Sequence, residues 1–175
     1  FRNDLRLHDH EALHCALKRA DHILPVYCLD PRHFETTEFG FPKTGAFRAQ
    51  FLLESLQVLR ERLRGVGSDL LVLQGKPEEL LPKLARDRGA YWIFAHQEVT
   101  SEEVAVEEKI ERALFHDGIT LELFWGSTLY HLADLPMPVS SLPQIFTQFR
   151  KQVEKMAEVR ELYPTPDRIP TAKVE

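Results

Sequence analysis

The chain has 175 residues, a formal net charge of -5 and a sequence pI of about 5.9, which excludes a domain that grips nucleic acid by itself, because phosphate binding requires a basic surface. Its hydrophobic content of 43% is sufficient for the core of one globular domain, and no apolar run reaches the roughly 20 residues that span a membrane. Cys15 and Cys28 are the only cysteines, so we expect reduced thiols in an intracellular compartment.

The first predicted element is a charged loop that leads into a helix. Residues 2–8 form the loop, Asp9 is suited to cap the helix, and apolar residues recur behind it at helical spacing. On this interpretation Phe1 ends a strand, and we expect that first strand to be largely truncated. The loop contains no glycine, which excludes the G-x-G-x-x-G fingerprint of a dinucleotide-binding fold, and a P-loop motif is absent as well.

One motif in the first helix matches a metal site. The run His10-Glu-Ala-Leu-His14 fits the H-E-x-x-H pattern of zinc proteases. No third ligand accompanies it, and a metal site would require one. The favoured interpretation is a first helical turn whose polar residues face solvent.

Apolar strands and amphipathic helices then alternate along the chain. Strands are predicted at residues 22–29, 69–74, 91–95 and 119–124, and helices after Thr44, Pro77, Thr100 and Gln144. Pro82 is expected to break the third helix or shorten its first turn. The alternation predicts an α/β fold with a Rossmann-like, doubly wound parallel sheet of about five strands and helices on both faces.

Polar residues follow the strands where such a sheet binds its ligands, outside the carboxyl ends. Gln97 and Glu98 follow the strand at residues 91–95, and Glu102 and Glu103 open the next helix. Thr100-Ser-Glu-Glu103 has the form of a capping box, so Glu103 is interpreted either as a capping group or as a ligand. Residue spacing alone therefore predicts an α/β domain of the nucleotide-binding type with a pocket at the strand ends, and it does not indicate a reaction.

Several runs resemble the N-terminal α/β domain of the photolyase/cryptochrome family, most closely its cryptochrome-DASH branch and related plant and algal photolyase-like proteins. The runs are Phe1-Arg-Asn-Asp-Leu-Arg-Leu-His-Asp9, Leu24-Pro-Val-Tyr-Cys-Leu-Asp-Pro-Arg32, Phe41-Pro-Lys-Thr-Gly45, Phe47-Arg-Ala-Gln-Phe51, Gly75-Lys-Pro-Glu78, Ala95-His-Gln-Glu98, Ser101-Glu-Glu103, Trp125-Gly-Ser-Thr-Leu-Tyr-His131 and Phe146-Thr-Gln-Phe-Arg-Lys151. They occur in family order along the whole chain. His10 and Phe146 depart from the pattern, since the family usually has Asn and Tyr there.

The resemblance implies a light-harvesting domain. It would hold an antenna chromophore, in this branch usually the reduced folate 5,10-methenyltetrahydrofolate, and pass excitation to FAD in a helical C-terminal domain. In photolyases the reduced flavin then splits a cyclobutane pyrimidine dimer. Residues 1–155 would form the antenna domain and residues 156–175 the start of the linker, with the FAD-binding domain absent from the chain. The chain alone would not be catalytic, and it would reach DNA only through the parent protein.

The resemblance also proposes site residues. By this resemblance the folate-contacting carboxylate is Glu103 or Glu102, because the alignment with the family is defined only to within one residue. Relatives with a deazaflavin antenna have pocket residues at the positions of Cys28 and Arg48. Gln97 and Glu98 rank third, and no catalytic residue or metal ligand is predicted.

Two other functions remain open on the sequence. One is a blue-light photoreceptor or signalling module without repair activity, which would share this domain. The other is an adenine-nucleotide-binding α/β domain of the stress-protein type, which the absence of a glycine loop disfavours. The expected location is intracellular, in the bacterial cytoplasm or, in a eukaryote, in a chloroplast or mitochondrion; no targeting segment is visible and no membrane partner is expected.

Overall fold

Helices and short parallel strands alternate along the chain, as predicted for an α/β domain. The structure, a computed structural model, describes residues 1–171. Its elements are α1 (Glu11–Arg19), β1 (Val26–Leu29), α2 (Ala46–Gly65), β2 (Leu71–Gln74), α3 (Pro77–Asp87), β3 (Trp92–His96), α4 (Ser101–Leu114), β4 (Thr120–Phe124) and α5 (Phe146–Met156). A search of the described residues finds no helix with the length and apolar character to cross a membrane.

The strands form two separate parallel sheets. β1 pairs with β2, placing Val26 opposite Leu71, and β3 pairs with β4, placing Trp92 opposite Thr120. The α/β class is therefore confirmed, but the single sheet of about five strands is not: within residues 1–171 there are two sheets of two strands. The physical reason is that residues 1–9 form no ladder between β1 and β3, so no described strand pairs with both sheets.

The helix starts differ from the predictions in two places. His10, not Asp9, caps α1: its Nδ1 accepts a hydrogen bond from the Leu13 amide at 3.1 Å. Asp9 instead takes a left-handed conformation with φ of 47°, which aspartate tolerates better than most residues. Gly45, not Thr44, is the N-cap of α2.

The predicted break at Pro82 is wrong. Pro77 occupies the first turn of α3 as expected, and the helix then continues through Pro82 to Asp87. Pro82 is fully buried, so the packing of its ring offsets the missing backbone donor.

Two apolar clusters stabilise the two halves of the domain. The first, beneath α1, α2 and β1, contains Leu7, Leu13, Tyr27, Leu56, Leu59, Leu63, Leu70 and Ile169. The second, between α3, α4 and the β3–β4 sheet, contains Ala85, Ile110 and Leu114. α1 contributes Leu13 to the first cluster and also contacts β3 and β4, so this helix connects the two halves.

The segment after α5 returns to the domain. The Asp9 amide donates to the Tyr163 carbonyl at 2.7 Å, and the Ile23 amide donates to the Pro170 carbonyl at 2.7 Å. Ile169 is fully buried in the first apolar cluster. Part of the predicted linker therefore packs against the domain. The last four residues of the predicted linker lie outside the described chain, and the domain boundary near residue 156 stays a prediction.

Candidate functional site

Charged side chains from the first loop and from α4 meet at the carboxyl end of β3. The Arg2 guanidinium lies between two carboxylates: Nη2 is 2.6 Å from Glu103 Oε2, and Nη1 contacts Glu107. Nη1 also lies 3.4 Å from the His96 carbonyl oxygen, at the end of β3. Glu107 is buried, and its Oε1 accepts a hydrogen bond from the Glu98 amide at 2.9 Å. Arg2 therefore fixes both carboxylates on the inner face of α4.

The capping-box interpretation of Glu103 is wrong. Thr100 is the N-cap of α4, but no side-chain hydrogen bond closes the cap. The Glu103 carboxylate turns instead toward Arg2, and its second oxygen, Oε1, lies 3.8 Å from His33 Nε2. Arg2 offers the carboxylate a full positive charge together with the hydrogen bond, whereas the Thr100 amide would offer the hydrogen bond alone, which explains the choice. Glu103 is thus held in place with one oxygen directed at the neighbouring loop.

A buried cluster of three side chains lies behind Arg2. Asp4 Oδ2 is 2.8 Å from His10 Nε2 and 2.8 Å from His96 Nδ1, and the two imidazole rings stack with centroids 4.5 Å apart. The Arg2 amide donates to Asp4 Oδ1 at 2.5 Å. The cluster therefore ties the backbone of the first loop to both α1 and β3.

Burial and hydrogen bonding compete in this cluster. Burial alone would raise the pKa of Asp4, but the hydrogen bonds from His10 and His96 outweigh it and hold that pKa well below its ordinary value. Burial lowers the pKa of His10, and the adjacent Asp4 carboxylate offsets only part of that effect. At neutral pH Asp4 is an anion that accepts hydrogen bonds.

The same three residues have the spacing of a metal site, but the hydrogen bonds argue against one. Their ligand atoms all lie within 4.8 Å of one another. However, His10 Nδ1 accepts a hydrogen bond from the Leu13 amide. The proton of the neutral ring is therefore on Nε2, the atom that faces Asp4. A metal at Nε2 would require that proton to be lost. His14, the other histidine of the H-E-x-x-H pattern, packs against Tyr163 instead.

A second ionic network lies at the carboxyl end of β1. Arg32 makes a two-pronged contact with Glu78, at 2.9 and 2.8 Å, and contacts both oxygens of Asp30. The hydrogen bonds with Asp30 and then Glu78 raise the pKa of Arg32. Lys109 Nζ lies 3.5 Å from Glu78. The network links the turn after β1 to the first turn of α3 and to α4.

Four of the six predicted site residues line one cavity, whose volume is about 1690 Å³. They are Cys28, Arg48, Glu102 and Glu103. Burial raises the pKa of the Cys28 thiol to about 11, so it is neutral at pH 7, whereas Arg48 is exposed on α2. Glu102 is largely exposed and pairs with Lys43.

The other two predicted residues do not line the cavity. The Gln97 amide donates to the Phe124 carbonyl at 2.8 Å and extends the β3–β4 pairing. Glu98 accepts a hydrogen bond from Asn3 Nδ2 at 2.8 Å. Both therefore brace the loop after β3.

Sequence reasoning missed the residues that complete the site. These are Arg2, His33, Lys43, Glu107 and Phe51. Phe34 and Phe41, from the aromatic-rich loop after β1, line the cavity as well. The loop that carries Phe41 closes on itself, since the Thr37 amide donates to the Phe41 carbonyl at 2.8 Å. Three aromatic residues in the loop region at residues 34–41 were the available signal. Aromatic faces beside fixed carboxylates suit a planar ligand that has N–H donors.

Comparisons with known proteins agree with one another. The family model described as DNA photolyase matches residues 1–170. A cryptochrome DASH of Arabidopsis thaliana, described as chloroplastic/mitochondrial, is 55% identical over 163 residues, which are 91% of this chain and 29% of that protein. The crystal structure of a Synechocystis cryptochrome matches with a TM-score of 0.96 and 46% identity, covering 100% of this chain and 37% of its own.

A more distant structure adds one detail. An archaeal photolyase from Sulfolobus tokodaii matches with a TM-score of 0.82 and 26% identity, covering 98% of this chain and 37% of its own. That structure is described as holding two FAD molecules, with the implication of a novel light-harvesting cofactor. The present chain thus spans about a third of the length of the proteins it matches.

Proposed function

This chain belongs to the DNA photolyase family, and from that membership we propose that it is the light-harvesting α/β domain of a blue-light-dependent flavoprotein. It binds a folate antenna, 5,10-methenyltetrahydrofolate, and passes excitation to FAD in a helical domain of the same protein. The parent is a cyclobutane pyrimidine dimer photolyase or a DASH-type cryptochrome.

The observation that carries the proposal is the position of Glu103. Its carboxylate is 24% exposed, is held by Arg2 at 2.6 Å and lies in a cavity that aromatic side chains also line. A fixed carboxylate accepts charge-assisted hydrogen bonds from the amino group and ring N–H of a pterin, and aromatic faces stack on its ring. Glu102 pairs with Lys43 at the rim and is the weaker candidate.

Charge and location also fit a parent protein larger than this domain. The net charge of -5 gives this domain no electrostatic reason to bind DNA, so we place DNA binding on the FAD domain. The similar plant protein is described as chloroplastic/mitochondrial, and a plant parent would work in one of those organelles. A bacterial parent would work in the cytoplasm.

The experiment uses the full-length parent, expressed with reduced folate available, and the matched variants Glu103→Gln and Glu111→Gln. Glu111 lies on the same helix, is exposed and is not among the cavity-lining residues. We expect a near-UV pterin band in the wild type and in Glu111→Gln, and its loss or at least about tenfold weaker folate binding in Glu103→Gln, since a good charge-assisted bond contributes about 1.5–3 kcal/mol. Equal binding by all three proteins would disprove the role of Glu103, and a wild type without the band would disprove the antenna function.

A photoreceptor without repair activity is the alternative parent. The present domain is compatible with both, because the cavity would hold an antenna in either case. A dimer-repair assay under blue light on the full-length protein separates them: repair supports the photolyase, and light-dependent spectral change without repair supports the photoreceptor.

A further inference from the structure

Asp4 is a buried carboxylate beside the ligand site, and the protein itself engages both of its oxygens. The residue is 5% exposed. Its Oδ1 accepts a hydrogen bond from the Arg2 amide at 2.5 Å, and its Oδ2 lies 2.8 Å from both His10 Nε2 and His96 Nδ1. Burial of an anion is unfavourable unless hydrogen-bond donors surround it, and Asp4 has three. Any effect of Asp4 on a ligand in the cavity therefore acts through the residues that it holds.

Arg2 is one of these residues, and it is fixed at both ends. Asp4 holds its backbone amide, while at the other end Nη2 lies 2.6 Å from Glu103 Oε2 and Nη1 contacts Glu107. An arginine side chain loses much conformational freedom when it is held in one geometry. A single guanidinium can span both carboxylates of α4 only if its backbone stays at the right distance from that helix. The hydrogen bond to Asp4 sets that distance.

His96 is the common anchor for both ends of Arg2. Its ring bonds to Asp4, which holds the Arg2 amide, and its carbonyl oxygen lies 3.4 Å from Arg2 Nη1. His96 is buried, and it ends β3 opposite Phe124 of β4. A group held on a strand is placed more precisely than a group held only by a loop. Asp4 thereby transfers the position of the strand to the first loop.

Glu103 depends on Arg2 for its direction. Within residues 1–171 its carboxylate forms ion pairs with Arg2, at 2.6 Å, and with His33, at 3.8 Å. The second of these contacts is too long for a good hydrogen bond. A displacement of Arg2 would therefore leave the Glu103 carboxylate without a close partner and free to turn toward solvent.

We propose that Asp4 is a positioning residue for the ligand site: it fixes Arg2, and Arg2 directs Glu103 at the bound pterin. This inference rests on the proposed antenna function, because it takes Glu103 as the ligand-binding carboxylate. Asp4 makes no contact with the ligand on this account. Its loss weakens binding although every group that touches the ligand is still present.

The first test measures the affinity of the full-length parent for 5,10-methenyltetrahydrofolate in the variants Asp4→Asn and Leu114→Ala. Asparagine keeps the size of the side chain but has one oxygen for three donors. Leu114 is fully buried at the far end of α4, roughly 16 Å along the helix from Glu103 at about 1.5 Å per residue, and its truncation destabilises the domain outside the site. Circular dichroism confirms that both proteins are folded at the temperature of the titration.

We expect Asp4→Asn to weaken folate binding by about fivefold and Leu114→Ala by less than about twofold, a difference within the usual coupling between neighbouring residues. Unchanged affinity in Asp4→Asn would overturn the proposal. Equal weakening in both variants would overturn it as well, because the loss would then follow from general destabilisation.

A double-mutant cycle tests whether Asp4 acts through Arg2. Arg2→Met removes the guanidinium that connects Asp4 to Glu103, so Asp4→Asn should weaken folate binding about fivefold in the wild type and less than about twofold in Arg2→Met. Multiplicative losses in the double variant would show that Asp4 affects the ligand independently of Arg2, against the proposal.

A crystal structure of ligand-free Asp4→Asn gives a readout that does not depend on the folate. We expect the Arg2 guanidinium to move by about 1 Å or more away from Glu103 or Glu107, beyond the roughly 0.5 Å within which a binding group must be held. An unchanged guanidinium would overturn the proposal. A wild-type parent that binds no folate would disprove the antenna function, and this structural comparison would still decide whether Asp4 positions Arg2.

Discussion

Arg2 and Glu103 are 101 residues apart in sequence, yet Arg2 Nη2 lies 2.6 Å from Glu103 Oε2. The same guanidinium contacts the buried Glu107, so one side chain of the first loop holds two carboxylates of α4. The first loop thereby determines which way the candidate ligand-binding carboxylate points.

Replacing Arg2 with Met should destabilise the domain. The variant leaves Glu107 buried without its cation, and removal of one partner from a buried pair costs about 3–5 kcal/mol; since Arg2 is partly exposed, we expect about 2–3 kcal/mol. Urea unfolding measures the change. Arg112→Met is the control, because Arg112 and Glu108 form an exposed pair that contributes at most about 0.5 kcal/mol. Similar losses in both variants would contradict the inference.

Acidification should weaken the domain through His10. The pKa of His10 is lower in the folded state than its ordinary value of 6.5, so the unfolded chain binds the proton more readily. Stability is therefore fully present above pH 7 and declines as the pH falls through 6.5. Asp4, whose pKa is also lowered in the fold, adds a second decline below its ordinary value of 3.8.

The matched variant for this prediction is His10→Asn, which keeps a side chain able to cap α1. Unfolding free energies measured from pH 8 to pH 5 should fall less steeply in the variant than in the wild type. The absolute stability of the variant is expected to be lower, since Asn is too short to reproduce the ring contacts with His96 and Phe1. Parallel pH profiles would show that His10 does not titrate in the folded state as inferred.

A side chain at Gly126 should destabilise the domain because it would clash with His96. A Cβ at this position would lie 2.9 Å from His96 Nε2, and His96 is held on its other side by Asp4 at 2.8 Å. Gly126→Ala should therefore cost about 1–3 kcal/mol, the usual range for overpacking. Gly65→Ala is the control, because nothing lies within 4 Å of a Cβ there and alanine favours the helix. Thermal melts that show no difference between the two variants would contradict this packing constraint.

Sequence patterns predicted the order of elements well and the side-chain partners poorly. Pro77 at the start of α3 and the strand at residues 91–95 were foreseen because local propensity and periodicity act over short distances. Thr100 to Glu103 matched a capping box, but the partner of Glu103 is Arg2, which no local pattern reveals. His10 is the cap of α1 because Asp4 and His96 fix its ring from outside the helix.

The residues that line the cavity were also predicted only in part. Cys28, Arg48 and the two glutamates were proposed through a family resemblance and do line one space. Of the aromatic side chains that line the space, Phe34 and Phe41 are on the segment after β1, where spacing carries no periodic signal, and Phe51 is on α2. The number of strands in each sheet could not be predicted by pattern either, because strand pairing joins segments that are distant in sequence.

The 175-residue chain should be only weakly stable by itself. Strands β1 and β3 are only partly buried, although the interior strands of a doubly wound sheet are normally covered. Each half also relies on its own small cluster, and small cores supply little net stability. We expect a broad transition of low midpoint in differential scanning calorimetry, with binding of a hydrophobic dye before the transition. A sharp, cooperative transition at high temperature would contradict this expectation.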